Sequence, residues 1–231
     1  MSLQQLEGPR SEHALCPVCA KPVHQSLYEE KTDRTYFTCS HCGFIFLSQD
    51  GRISGGKEKS RYLRHRNGMQ EKGYVEFLTS FLKESVIPRV KPGARVLDFG
   101  SGPVPVFSWL LQREGYQVDS FDIYFCPDRG WEKKHYQAII LMEVLEHISD
   151  PMTVLEALKK RLLPGGFIFI RTGIHFEDVP RFDTWWYRQD PTHIAFFSIR
   201  TIRYAAAALK LRLVSLENNR DIILQRDPST S

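Results

Sequence analysis

Two carboxylates and two glycines occupy positions where they could bind a nucleoside. Residues 94–102 read ARVLDFGSG, so an apolar run ends around Asp98 and leads into a turn with Gly100 and Gly102, and Asp122 follows twenty residues later. Glycines let backbone N–H groups approach a ligand closely, and a carboxylate at the end of the next strand accepts hydrogen bonds from ribose hydroxyls. The turn continues as Pro-Val-Pro and lacks the third glycine of a dinucleotide-binding loop, which disfavours NAD.

The cysteines form a second pattern with chemical meaning. Four of the five lie in two C-x-x-C pairs that are nineteen residues apart: Cys16, Cys19, Cys39 and Cys42. This spacing is typical of a four-thiolate zinc site, and the alternatives are two disulfides or four unrelated thiols. Four thiolates complete a tetrahedron, so the predicted zinc is structural and does not activate water.

Three segments together resemble one protein family. They are the glycine turn at residues 94–102, EVLEHISDP at residues 143–151 and LPGGF at residues 163–167. In this order and spacing they resemble the class I S-adenosylmethionine-dependent methyltransferases, in particular the small-molecule, UbiG-like subgroup. One departure is Val104, where most members have a further glycine.

The resemblance implies S-adenosylmethionine as the cofactor and gives the carboxylates roles. Asp122 is expected to bind the ribose hydroxyls. Gly100 and Gly102 are expected to form the loop that binds the cofactor. Asp98 is expected to order this loop or to contact the ammonium group of the methionine part through a water molecule. Glu143 is expected to face the amino-acid part of the cofactor. The alternative for both aspartates is loop capping, which is routine for this residue type.

A basic stretch precedes the first strong helical pattern. In related methyltransferases a helix and its preceding segment at this position lie over the cofactor pocket, so three residues are candidates to line it: Tyr62, His65 and Asn67. The equally open alternative is a solvated basic linker.

A block rich in aromatic residues at 184–198, TWWYRQDPTHIAFFS, resembles a similar block in the same subgroup and is expected to wall the acceptor pocket. Methyl transfer to an O–H or N–H acceptor needs a base, and an imidazole suits this task because its usual pKa is about 6.5. His193 is the candidate base and Asp190 the residue that orients it. Tyr187 and His175 are substitutes, and the alternative is a structural turn at Asp190 with a satisfied histidine.

The elements that must position these residues alternate along the chain. Apolar strand patterns at residues 96–99, 117–122, 138–142 and 167–170 are separated by helical patterns at 106–113 and 152–163. With the resemblance, they predict an α/β fold: a Rossmann-like, seven-stranded, mostly parallel sheet flanked by helices, with a small N-terminal four-cysteine zinc ribbon. The interval between Asp122 and Ala138 is short for a full helix-and-strand unit. The predicted domains are a zinc-ribbon module (1–50), a linker and helix over the cofactor pocket (51–93) and a methyltransferase domain (94–231).

Composition sets the outer limits. The 231 residues are 42% hydrophobic and carry a formal net charge of +4, which is typical of a globular protein with a core and permits nucleic acid without requiring it. There is no apolar run of about 18 residues and no signal-peptide profile, so we expect a cytoplasmic location and no membrane partner. We expect a small-molecule methyl acceptor. The alternatives are RNA, bound by the zinc module and residues 52–72, and an inactive methyltransferase fold that binds a protein partner.

Overall fold

Strand-forming residues are distributed along the whole chain. The structure is a computed structural model, and it describes residues 3–7, 14–64 and 67–229. The described residues form twelve strands: β1 (Gln4–Glu7), β2 (Gln25–Glu29), β3 (Arg34–Thr38), β4 (Ile45–Leu47), β5 (Arg95–Phe99), β6 (Gln117–Phe121), β7 (Tyr136–Met142), β8 (Leu162–Arg171), β9 (Ile174–His175), β10 (Ala195–Ser198), β11 (Leu211–Glu217) and β12 (Asp221–Arg226).

Helices fill the intervals between strands. The described residues form six α-helices: α1 (Gly55–Tyr62), α2 (Lys72–Phe81), α3 (Val106–Arg113), α4 (Pro151–Arg161), α5 (Val179–Thr184) and α6 (Ile199–Ala208). Local sequence explains several of their ends. Asp150 accepts the backbone N–H of Thr153 at the start of α4, and Ser198 forms a capping box with Thr201 at the start of α6. None of the helices in the described part of the chain combines the length and the apolar content needed to span a bilayer.

The larger sheet has the order β11-β12-β8-β7-β5-β6. Strands β5, β6, β7 and β8 pair in parallel, and β12 runs antiparallel to its neighbours β8 and β11. Residues such as Leu97, Ile139 and Ile140 are fully buried, as expected for a sheet that is covered on both faces. The predicted mostly parallel α/β fold is confirmed.

The number of strands differs from the predicted seven. The larger sheet has six strands in the described residues, because the interval after β6 forms a tight turn and a short helix instead of a helix-and-strand unit. Asp122 and Cys126 exchange both backbone hydrogen bonds in this turn, and a 3-10 helix covers Arg129–Lys133. The fourteen residues between β6 and β7 leave no room for more.

The smaller sheet joins distant parts of the chain. Its order is β1-β2-β3-β4-β10-β9, so the four N-terminal strands continue into two strands from the region after β8. Ala195 and Phe196 of β10 pair antiparallel with Phe46 and Ile45 of β4. One apolar cluster contains all four paired cysteines together with Leu97 of the larger sheet. The predicted module at residues 1–50 therefore shares both a sheet and a core with the predicted methyltransferase domain.

Candidate active site

The glycine turn after β5 has the backbone that the sequence predicts. Gly100 and Gly102 have φ angles of +83° and +70°, which side-chain-bearing residues rarely adopt. A Cβ atom at Gly100 would lie 2.4 Å from Cγ2 of Val144, so a glycine is required there for steric reasons as well. Because Gly100 lies so close to Val144, the turn packs directly against the segment that follows β7. Helix α3 begins at Val106, immediately after the Pro-Val-Pro run.

Asp122 holds the glycine turn in place. Its Oδ2 accepts the backbone N–H of Gly102 at 2.9 Å, and its Oδ1 accepts the N–H groups of Tyr124 and Phe125 at 2.8 and 3.1 Å. Each carboxylate oxygen has two lone pairs, so these bonds leave acceptor capacity for a ligand. Asp122 can therefore cap the loop and bind a ribose at the same time, which are the two functions predicted for it.

Asp98 lies deeper than the sequence analysis suggests. Only 2% of it is exposed, and its Oδ2 accepts a hydrogen bond from the Ser108 hydroxyl of α3 at 2.6 Å. Burial raises the pKa of Asp98 to about 6. Asp98 therefore links β5 to α3, whereas the predicted ordering of the glycine turn is performed by Asp122.

The carboxyl groups of two glutamates lie near each other just after the end of β7. Glu143 has a φ of +53°, and Glu146, in the 3-10 turn Leu145–His147, is fully buried. The Tyr187 hydroxyl lies 2.6 Å from Glu146 Oε1 and 3.0 Å from Glu143 Oε2, and Thr172 donates to Glu146 Oε2 at 2.8 Å. Burial raises the pKa of both carboxyls, and with the neighbouring charge of Glu146 it brings the pKa of Glu143 to about 8. The Tyr187 hydroxyl therefore bridges two buried carboxyls, both of which hold their protons more tightly than exposed glutamates do.

Two histidines lie against this pair. The ring centroids of His147 and His193 are 4.9 Å apart. Nδ1 of His147 is 2.9 Å from the carbonyl oxygen of Thr192, and Nδ1 of His193 is 2.7 Å from that of Tyr187. A carbonyl only accepts, so each Nδ1 carries the hydrogen and each Nε2 keeps its lone pair. Burial lowers the pKa of both rings, that of His193 to about 4, so both are neutral at pH 7.

The predicted pairing of Asp190 with His193 is wrong. The side chain of Asp190 accepts a bidentate hydrogen bond from Arg61 of α1, with a shortest distance of 2.7 Å, and bonds from the N–H and hydroxyl of Thr192. The group that orients His193 is the carbonyl of Tyr187. Residues Asp190 to His193 form a turn in which the His193 N–H donates to the Asp190 carbonyl. The side chain of Asp190 also binds α1 through Arg61.

The two predicted substitutes for the base have other roles. Burial and the adjacent carboxylates raise the pKa of Tyr187 far above its usual value, so its hydroxyl stays protonated as a donor. His175 lies in β9, away from the pair of histidines. Its Nε2 donates to the carbonyl of Gly43, 3.0 Å away, directly after the second cysteine pair.

The predicted lining residues divide into three cases. Tyr62 is the last residue of α1, and its ring packs edge-on against His147 with 5.4 Å between the ring centroids. It therefore contacts the pair of histidines. Asn67 is exposed, and the structure gives it no role there. His65 lies outside the described residues.

Sequence reasoning missed two residues of this cluster. Glu146 and His147 look like helix-start residues in the sequence, yet they contact Tyr187 and His193 from the acceptor block. The available signal was the E-x-x-E-H spacing of residues 143–147, which places three polar side chains on one turn.

The four paired cysteines converge as predicted. Their sulfurs all lie within 4.8 Å of one another, with 3.5 Å between Cys16 and Cys42 and between Cys19 and Cys39. Zinc bonds of about 2.3 Å would separate tetrahedral sulfurs by about 3.8 Å, so the set fits one zinc ion. The separations exclude S–S bonds in this structure, and Ala20 and Gly43 supply the left-handed residue of each knuckle.

Fold and site together define a Rossmann-like α/β protein with a nucleoside-type glycine turn. A family model described as a methyltransferase domain matches residues 62–216. The chain belongs to this methyltransferase-domain family, which confirms the predicted class.

Individual relatives are more distant. The chain is 32% identical over 84 residues to a ubiquinone biosynthesis O-methyltransferase of Klebsiella pneumoniae (strain 342), a match that covers 36% of this chain and 35% of the relative. It thus spans about a third of the length of such curated relatives. Magnesium protoporphyrin IX methyltransferase from Synechocystis PCC 6803, solved with bound SAH, superposes with a TM-score of 0.52 at 15% identity and covers 75% of this chain and 95% of its own. CalO1, a methyltransferase in calicheamicin biosynthesis solved with SAH, superposes with a TM-score of 0.51 at 12% sequence identity. The match covers 68% of this chain and 55% of CalO1.

Proposed function

We propose that the protein transfers the methyl group of S-adenosylmethionine to an oxygen or nitrogen atom of a small-molecule acceptor. One observation carries this proposal: the glycine turn is preformed, held by Asp122, and in contact through Val144 with the cluster of carboxyls and histidines. A donor bound at the turn and an acceptor at the cluster would therefore be neighbours at adjacent parallel strands, where such folds bind ligands.

The chemistry follows from this arrangement. The acceptor atom attacks the methyl carbon in line with the sulfur, the carbon–sulfur electron pair leaves with S-adenosylhomocysteine, and the acceptor loses its proton. Alignment and exclusion of water contribute much of such a rate enhancement. His193 Nε2, with its lone pair available at pH 7, is the candidate acceptor for the proton. The name of the curated relatives, O-methyltransferase, favours oxygen.

A small molecule is favoured over RNA because the basic segment at residues 52–72 uses two of its arginines internally. Arg52 donates to the carbonyl of Leu47 at 3.2 Å, and Arg61 is paired with Asp190. The aromatic rings of Tyr62 and Tyr187 beside the histidines suit a planar acceptor.

The first test is calorimetric titration with S-adenosylhomocysteine. We expect micromolar binding that is at least tenfold weaker in Asp122→Ala, since two hydrogen bonds to a carboxylate contribute about 1.5–3 kcal/mol each. Asp128→Ala is the matched control, because Asp128 accepts a backbone N–H from Gly130 in an exposed turn away from the glycines. No binding by the unmodified protein would overturn the proposal. Methyl transfer to RNA alone, and to no hydroxylated aromatic compound, would overturn the small-molecule acceptor.

A further inference from the structure

We propose that a cleft beside α4, outside the candidate active site, binds a small amphipathic carboxylate, that is, an elongated apolar molecule with one carboxylate group. The cleft has a volume of about 650 Å³ and lies between α4, the 3-10 helix Arg129–Lys133 and the end of α6. Small-molecule sites typically have volumes of about 300–1,000 Å³ and mostly apolar walls with a few polar groups. Neither the glycine turn nor the pair of histidines contributes to its lining.

The cleft lies where the chain omits a helix-and-strand unit between β6 and β7. In place of that unit the 3-10 helix packs Trp131 against the sheet, in the same apolar cluster as Phe99 of β5 and Leu155 of α4. One tryptophan ring covers less of the sheet than a full helix does, so the side of α4 next to it is open. The lining residues of α4 extend from Met152 to Arg161, which is about 13 Å along the helix axis. The cleft therefore suits an elongated molecule.

The walls combine apolar side chains with one unsatisfied donor. Met152, Ala157 and Leu209 supply apolar surface for the body of a ligand. Trp131 also lines the cleft and is only 6% exposed, and its buried Nε1 has no hydrogen-bond partner among the described residues. A buried N–H without a partner costs free energy. Because an indole N–H only donates, a ligand that satisfies it must supply an acceptor oxygen, which it reaches after a small turn of the ring.

The charges around the cleft favour an anion. Glu132 pairs with Arg129, and Glu156 lies 4.0 Å from Lys160, so both acidic residues of the lining are compensated. The Arg161 guanidinium lines the cleft and has no hydrogen-bond or ion-pair partner in the part of the chain that the structure describes. A guanidinium presents its donors in a fork that matches a carboxylate. One uncompensated cation matches one negative charge, which favours a carboxylate over a phosphate dianion.

Aromatic rings connect the cleft to the glycine turn. Trp131 packs edge-on against Phe99 with 5.6 Å between the ring centroids, and its centroid is 5.8 Å from that of Phe121. These two phenylalanines end β5 and β6 and directly precede Gly100 and Asp122. A ligand that turns the Trp131 ring therefore acts on the residues that carry the turn. This consequence rests on the proposed function: the carboxylate should change the affinity for S-adenosylhomocysteine about fivefold or more, and the reverse effect must have the same size.

The test is a nuclear magnetic resonance titration of the full-length protein, labelled at the indole nitrogens of tryptophan, with octanoate and with phenylbutyrate. Each of the 4 tryptophans gives one indole cross-peak, and Trp131→Phe assigns the cross-peak of Trp131. We expect a saturable shift of this cross-peak with a dissociation constant of about 1 mM or lower, as molecules of this size allow. Phenylbutanamide, which is neutral, should bind at least tenfold more weakly than phenylbutyrate because it lacks the charge.

Three variants test the location. Arg161→Gln should weaken octanoate binding at least tenfold, because it removes the uncompensated charge. Ala157→Leu should also weaken it at least tenfold, since the larger side chain occupies the cleft, and leucine is a good helix former. Arg203→Gln removes an exposed cation of α6 outside the cleft and is the matched control, which should bind octanoate as the unmodified protein does.

The outcomes separate this proposal from the proposed function. The absence of a saturable Trp131 shift at millimolar concentrations of both acids overturns the site. Equal binding of phenylbutyrate and phenylbutanamide also overturns it, and this comparison uses the unmodified protein, so it does not depend on the folding of a variant. If the Trp131 signal responds but phenylbutyrate leaves the affinity for S-adenosylhomocysteine unchanged, the site stands and its coupling to the glycine turn fails. If S-adenosylhomocysteine does not bind at all, the proposed function fails and the titration still decides the site.

Discussion

Acidification should destabilise the protein in part through His175. The ring is only 4% exposed, its Nε2–H donates to the Gly43 carbonyl, and its Nδ1 accepts the N–H of Glu177 at 3.1 Å. Only the neutral imidazole can make both bonds, because protonation would place a hydrogen on Nδ1 opposite that N–H. Burial accordingly lowers the pKa of His175 from 6.5 to about 4.

The size of the effect follows from the two pKa values. The unfolded chain takes up the proton below pH 6.5 and the folded chain only below about pH 4, so the unfolded state binds more protons between them. The contribution of His175 is therefore complete above pH 6.5, decreases as pH falls through that value and levels off near pH 4. Linkage gives a loss of about 2 kcal/mol in unfolding free energy between pH 7.5 and pH 5.

Urea unfolding of the unmodified protein and of His175→Gln at pH 7.5 and pH 5 measures this difference. Glutamine keeps a donor for Gly43 but does not titrate, so the variant should lose about 2 kcal/mol less on acidification. Other buried histidines titrate in both proteins and cancel in the comparison. His135→Gln, at an exposed position, should behave as the unmodified protein. Equal losses in the unmodified protein and in His175→Gln would refute the assignment of the shift to this ring.

Three further changes test other parts of the structure. Gly100→Ala should weaken S-adenosylhomocysteine binding at least tenfold and lower the unfolding free energy by at least 1–2 kcal/mol, because its Cβ would meet Val144 and its φ is positive; titration and urea unfolding measure both. Cys39→Ser should increase amide hydrogen exchange in β10, since β10 pairs with the strand that follows the second cysteine pair. Arg171→Met should destabilise by about 3–5 kcal/mol in urea unfolding, because it leaves Asp221 charged, buried and unpaired.

Each of these changes has a matched control. Gly56→Ala lies in α1, where a Cβ meets nothing within 4 Å, and should be neutral or slightly stabilising. Cys126→Ser removes the unpaired cysteine and should leave exchange in β10 unchanged. Arg171→Met combined with Asp221→Leu should recover most of the lost stability. Failure of the double variant to recover would point to the Arg171 contacts with Phe77 and Phe81 instead of the ion pair.

The regular elements of the methyltransferase region could be predicted because local signals agree there with the tertiary fold. The helix predicted at residues 106–113 is α3 to the residue, and Ser198 caps α6 as its residue type indicates. The seventh strand could not be placed because the interval after Asp122 carries no strand pattern, and the fold omits that unit. Strand composition alone also gave no indication that β4 pairs with β10, because edge pairing depends on contacts between residues far apart in sequence.

The site was predictable where chemistry follows from backbone geometry. Gly100, Gly102 and Asp122 belong to one turn-and-strand motif, and their positions follow from it. The role of Asp190 does not follow from its proximity in sequence to His193, because the turn brings their backbones together and directs the carboxylate to Arg61. Glu146 was undervalued because a carboxylate is rarely fully buried, and only the folded chain shows the hydroxyls that hold it there.

The shared smaller sheet has a consequence for synthesis on the ribosome. Ala195 pairs with Phe46, about 150 residues earlier, so the edge of β4 has no partner while the intervening chain is made. At 5–20 residues per second this interval is roughly 7–30 s. During that time the nascent chain presents an unprotected strand with the apolar sequence Ile-Phe-Leu, which is a surface that aggregates or recruits chaperones. A metal ion bound early by the four cysteines would not shield this edge, since the protecting strand has not yet been translated.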